Sequence, residues 1–213
     1  MRFVCGPIPP SCVLNPEEED WTPLREWGAG RLAAVALLVG LPFLIAAVVR
    51  LVEMKDEIRG LVRARPLVGS GCLLALVAMV PLHELIHALA YFQGIRSRHL
   101  IVGFWPSRGV CYAIYDSPMP RNRVLGMLVA PILALSIFPL LGLPWLQGTA
   151  WGLVLAFSLL HASICGGDMI VFFWLVSQVP RKALVHNNGW KTYWSVQAGN
   201  GTEQSAADGT LRS

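Results

Sequence analysis

His83, Glu84 and His87 stand in residues 80–92, VPLHELIHALAYF, where almost every neighbour is apolar. On a helix, residues four apart share a face, so His83 and His87 offer two imidazoles to one point. Glu84, one position on, can reach a water held there without being a ligand. This is the H-E-x-x-H arrangement, two metal ligands and a general base. Zinc (Zn2+) lowers the pKa of a water it binds toward ~7. Glu84 would take that proton and later pass it to a leaving amine. A charged group at the centre of a membrane helix costs roughly 3 kcal/mol. The plainer reading is a polar cluster bonded to neighbouring helices, but three ionisable groups in five residues are hard to explain by packing alone.

A catalytic zinc needs a third protein ligand and an open position. The stretch 161–174, HASICGGDMIVFFW, offers His161, Cys165 and Asp168. Depth separates them if each apolar span is one straight helix. His83 lies about 14 Å before Phe92, at 1.5 Å per residue. Asp168 lies about 17 Å before Val179, and His161 about 27 Å before it. Asp168 is therefore the expected third ligand. His161 is expected to make an interhelical hydrogen bond, and Cys165 to act as an apolar filler. Gly166 and Gly167 lack bulk and would let helices approach closely. Pro81 leaves a backbone carbonyl without its amide partner beside the motif.

The elements that must position these residues are membrane helices. Of 213 residues, 54% are hydrophobic and only 14% charged, whereas a soluble domain carries about 25% charge. From Pro66 to Gly94 the only acidic or basic residue besides histidine is Glu84, and from Val124 to Pro180 it is Asp168. A crossing needs about 20 apolar residues. Four spans are expected, about 29–52, 67–92, 124–146 and 151–179, the third bent or ended by Pro131, Pro139 and Pro144. Thr22-Pro23 reads as a helix start, and Trp21 and Trp27 suit the headgroup layer. Between spans two and three, two β-branched and aromatic runs flank PSRG, which predicts a β-hairpin over 99–116. Residues 1–20 read as a polar leader with no cleavable signal, and 191–213 as a disordered tail. The expected class is thus an all-α integral membrane protein of about four helices, with the embedded unit over 21–190.

The net charge of +4 comes from scattered basic residues, which excludes a nucleic-acid surface. They act as topology signals instead. Arg2, Arg25, Arg31 at the edge of the first span, Arg96, Arg98, Arg108, Arg121, Arg123, Arg181, Lys182, Lys191 and Arg212 fall on the side of the termini and hairpin. The opposite loop carries Arg50, Lys55, Arg59, Arg63 and Arg65. The positive-inside rule then gives cytoplasmic termini in the cell (plasma or inner) membrane. The five cysteines, Cys5, Cys12, Cys72, Cys111 and Cys165, form no C-x-x-C and read as small apolar residues.

HExxH in one span, a hairpin, then Asp168 two spans on resembles intramembrane zinc proteases of the site-2 protease type. HELIHAL at 83–89, GVCYA at 109–113, APILAL at 130–135 and GGD at 166–168 resemble more closely the small multi-pass membrane proteins described as putative zincin peptidases. The resemblance implies zinc held by His83, His87 and Asp168, with Glu84 as catalytic base. Site-2 proteases usually carry Asn-x-x-Pro-x-x-x-Leu-Asp-Gly around the third ligand. Here those positions are Leu160, Ser163, Gly167, Asp168 and Met169, and only the aspartate matches. The expected activity is hydrolysis of peptide bonds of a membrane protein or peptide in or near the bilayer. The competing class is a non-catalytic membrane protein whose zinc is structural, acting as an assembly or regulatory partner. A di-iron oxidase would need more than the five histidines present, and no trail of ligands marks a metal transporter.

Overall fold

The computed structural model describes residues 1–13, 15–16, 19–91 and 94–196. In chain order the elements are β1 (Arg2–Cys5), β2 (Thr22–Pro23), α1 (Ala29–Glu53), α2 (Lys55–Ala64), α3 (Pro66–Ala90), β3 (Leu100–Trp105), β4 (Val110–Tyr115), β5 (Met119–Pro120) and α4 (Arg121–Ile132). A π-helical segment, Leu133–Ile137, leads into α5 (Phe138–Leu141). Then come α6 (Gly148–Ile164), α7 (Gly166–Gln178), β6 (Leu184–Asn188) and β7 (Lys191–Ser195).

Three helical runs are long and apolar enough to cross a membrane: α1, α3 and the run Arg121–Trp145. The count is four if α6 and α7, bent by 52° at one residue, make one broken span. Their outer faces carry exposed Leu37, Leu38, Leu73, Leu74 and Val77, side chains that lipid would cover. Pro131 ends α4's regular turns just before the π-helical segment, and Pro139 opens α5. α2 is amphipathic and has no buried residue.

The expected straight fourth span is not what forms. α6 ends at Cys165, where Gly166 and Gly167 follow with low helix propensity, and α7 starts in a new direction. The break lies against α1. A Cβ on Gly166 would collide with the Ala36 carbonyl, and one on Gly40 with the Ser163 carbonyl. Neither backbone atom can yield, so glycine at both places lets the helices touch. Gly167 has open space and is not part of that contact.

Outside the helical bundle lie two small sheets. The expected hairpin is there, β3 antiparallel to β4, closed by the turn Pro106–Arg108 and by Gly109 at φ +62°. β1 adds to its β3 edge in parallel, giving the order β1-β3-β4. The second sheet has the order β2-β7-β6-β5. Arg2–Cys5, expected within a polar leader, is therefore a strand, and Thr22-Pro23, expected to start a helix, pairs with β7 instead, the helix starting at Ala29. Residues 191–195, expected to begin a tail, are a strand too. Gly189-Trp190, with Gly189 at φ +60°, makes the two-residue turn between β6 and β7, closed by the Asn188–Lys191 pair, a Gly-first hairpin signal that the tail reading overlooks. Residues 197–213 of the expected tail, and Glu17 and Glu18 of the acidic run, lie outside the described residues.

The N-terminal segment is tied between the sheets. Ser11 Oγ donates to Asp116, whose other oxygen accepts from the Cys12 amide, and His186 Nε2 lies 3.0 Å from the same Ser11 oxygen. Trp21 packs edge-on to His186, and Trp27 edge-on to Trp174. The main core, including Ala88, Tyr91, Leu100, Met127, Leu175 and Val185, joins the sheets to α3, α4 and α7. Arg121 is buried at the start of α4 and donates to the carbonyls of Leu175 and Val176 at the end of α7. It supplies positive charge at the C-terminal end of that helix, the negative end of its dipole.

Candidate metal centre

His83 and His87 lie one turn apart on α3, and both are buried. Their Nε2 atoms are 3.1 Å apart. Asp168 enters from α7, where it is the third residue of the first turn. A carboxylate is favoured there because the first amides of a helix have no intrahelical acceptor. One oxygen of Asp168 stands 3.1 Å from His83 Nε2 and 3.4 Å from His87 Nε2. The i, i+4 pair thus meets the carboxylate expected from the sequence.

Donors about 2.0–2.1 Å from a tetrahedral cation are separated by roughly 3.3–3.4 Å. The three observed separations approach that value, and the donors are two imidazoles and a carboxylate, the types that zinc takes. His83, His87 and Asp168 form a group able to coordinate a metal.

The tautomer of His87 follows from its second contact. His87 Nδ1 is 3.0 Å from the Met127 carbonyl, which can only accept, so Nδ1 carries the proton. In the neutral ring, Nε2 is then left with its lone pair turned to Asp168 and His83. The Met127 carbonyl is free to accept because the residue four further on is Pro131, which has no N–H. A helix proline thereby makes the acceptor that orients a ligand, the kind of outer contact metal histidines use.

His83 is held from its other side. Its Nδ1 lies 3.2 Å from His161 Nε2, and His161 Nδ1 lies 2.8 Å from Ser136 Oγ. Ser136 sits in the π-helical segment, and His161 and Ser136 are buried. If His83 presents Nε2 as a lone pair, its Nδ1–H donates to His161, and His161 Nδ1–H donates to Ser136. The expectation that His161 lies too deep to meet the motif is corrected. It rested on counting rise along one straight helix, and the span is broken and bent between His161 and Asp168. The expected interhelical hydrogen bond of His161 exists, and its partner is the motif itself. The signal was present, since 161, 165 and 168 follow i, i+4, i+7.

His83, His161 and Cys165 form a second possible donor group. Here the sulfur is 4.0 Å from both His83 Nδ1 and His161 Nε2. The thiol of Cys165 also donates to the His161 carbonyl at 3.3 Å. This group is looser, and its thiol hydrogen already has an acceptor in the His161 carbonyl, whereas a metal takes the thiolate. His161→Ala is accordingly expected to weaken metal affinity about 10–100-fold, as the loss of an outer-shell partner does. Cys165→Ala should leave it near wild type. Competition titration against a zinc chelator reads both, and a larger loss in Cys165→Ala would select the second group.

Glu84 is partly exposed beside the histidines. Its carboxyl faces the backbone amide of Ala113 on β4. The carbonyl of the same residue accepts from the Tyr91 hydroxyl at 2.7 Å, and Tyr91 stacks on Tyr115. Tyr91, Ala113, Met127 and Ser136 are the surroundings that residue spacing did not single out.

A family model described as "Putative zincin peptidase" matches residues 76–184, from within α3 to the first residue of β6. That span takes in His83, Glu84, His87, the hairpin, Ser136, His161 and Asp168. No curated protein matches the chain, and no solved structure does.

Proposed function

Because the chain belongs to the "Putative zincin peptidase" family, we propose that it is a membrane-embedded zinc metalloprotease hydrolysing peptide bonds in or near the bilayer. The observation that carries this reading is the convergence of His83 Nε2, His87 Nε2 and an Asp168 oxygen, with Glu84 on the adjoining position. These three residues would hold the zinc. When bound, zinc would supply Lewis acidity to water and to the scissile carbonyl.

The chain's own groups then have these roles. Glu84 takes a proton from the attacking water as oxygen bonds to the carbonyl carbon. It returns that proton to the nitrogen as the C–N bond breaks. The Ala113 amide orients the Glu84 carboxyl. The Met127 carbonyl and His161 keep the two imidazoles turned toward Asp168. Three protein donors would leave a tetrahedral ion one open position, which a closed structural site does not need. That openness favours catalysis over the non-catalytic reading.

A helical substrate must unwind before cleavage, because helical hydrogen bonds shield its carbonyls. An extended stretch is held by strand addition to the hairpin. β1 already occupies the β3 edge, so the edge left for a substrate strand is that of β4 on either side of Ala113, whose own amide and carbonyl face Glu84 and Tyr91 of α3. The pattern is of the site-2 protease kind, with Leu160, Ser163 and Met169 in place of that group's Asn, Pro and Gly.

Four crossings complete the reading. β2 pairs with β7, and β1 with β3, so the start of the chain, the hairpin and β7 share one end of the bundle. Even numbers of crossings must separate them, which α6 and α7 as one broken span provide. The positive-inside rule makes that end cytoplasmic. Reporter fusions after Arg65, Tyr115 and Lys191 are expected to report the first outside and the other two inside, and the reverse pattern would overturn the orientation. The test of the function itself is metal analysis of the purified protein. About one zinc per chain is expected, with peptide-bond hydrolysis that a chelator abolishes and zinc restores. Protein purified without zinc that still cleaved would refute it.

A further inference from the structure

We propose that the cleft between Arg96, Arg98, His99 and Arg123 binds the anionic phosphate headgroup of a membrane phospholipid. It is a cavity of about 610 Å³, set between the end of α3, the end of β4 and the start of α4. Its volume is in the range of small-molecule sites. All three guanidinium side chains are exposed. Arg123 is steadied by donating to the Tyr91 carbonyl at 3.4 Å. Among the described residues, the ion pairs are Arg50–Glu53, Arg59–Asp56 and those of Asp168 with the two histidines, and none of them joins a carboxylate to an arginine of the cleft. The acid closest in sequence, Asp116, has its two oxygens engaged by the Ser11 hydroxyl and the Cys12 amide.

Position selects the ligand. α3 ends at Ala90 and α4 begins at Arg121, so the cleft opens where two apolar runs reach their ends, at headgroup level. Arginine forks match phosphate oxygens two at a time, and basic pockets between membrane helices take anionic headgroups. Pro118, Met119 and Pro120 give the cleft an apolar wall beside the charges, which suits the glycerol and upper acyl region of a lipid better than a hydrated ion.

Native mass spectrometry of the full chain in detergent tests this, with phosphatidylglycerol and phosphatidylcholine of matched acyl chains as probes. Wild type is expected to retain phosphatidylglycerol at least about tenfold more than phosphatidylcholine, and Arg96→Gln/Arg98→Gln to lose that preference. Arg59→Gln, on α2 and outside the cleft, should behave as wild type. Arg123→Gln alone gives a second reading if the double variant melts early or aggregates. Excess inorganic phosphate should not displace the lipid. Equal retention of the two lipids by wild type, undiminished preference in folded variants, or displacement by free phosphate would each overturn the proposal. The first two outcomes would leave the arginines as topology signals, and the third would make the cleft a free-phosphate site.

Discussion

Asp168→Ala is expected to strip zinc from the purified protein, with affinity falling by more than the ~100-fold that loss of an outer-shell partner costs. Asp168 supplies the only anionic donor in its group, and the two remaining imidazoles are neutral when they bind metal. Its carboxylate is carried at the start of α7 and meets both imidazoles at 3.1 and 3.4 Å. No other carboxylate lies within the apolar run that contains it. Asp168→Asn should also weaken binding, because an amide oxygen is a poorer ligand for a cation. Zinc stoichiometry after dialysis, read beside His161→Ala and Cys165→Ala, decides the matter. Full zinc in Asp168→Ala together with loss in Cys165→Ala would move the metal to the other side of the His83 ring.

Glu84→Gln is expected to keep its zinc and lose peptide-bond hydrolysis by about 10²–10⁴-fold, the usual worth of a general base. Glutamine preserves the shape and keeps an oxygen facing the Ala113 amide. What it cannot do is take a proton. Loss of metal in this variant would make Glu84 a ligand. Retention of both metal and full activity would take Glu84 out of the mechanism.

The local part of the site was legible because it depends on short-range geometry. A helix puts His83 and His87 on one face whatever surrounds it, and the PSRG turn closes the hairpin through Gly109 at φ +62°. Apolar run length marked the membrane helices for the same reason, since each satisfies its own backbone. Asp168 was legible through cost, as a lone carboxylate among apolar neighbours needs a partner.

Other features arise only when distant segments pack. β1 joins a strand almost a hundred residues away, and its residues carry no sign of that partner. His161 meets His83 because the fourth apolar stretch breaks at Cys165, where Gly166 and Gly40 let α1 press against the break. Rise per residue measures depth only along a straight axis, so it failed there. The orientation of His87 joins both levels. Pro131 removes an amide by its own covalent structure, which any reader of the chain can see. Only the packing of α4 on α3 makes the freed Met127 carbonyl the acceptor for the His87 ring.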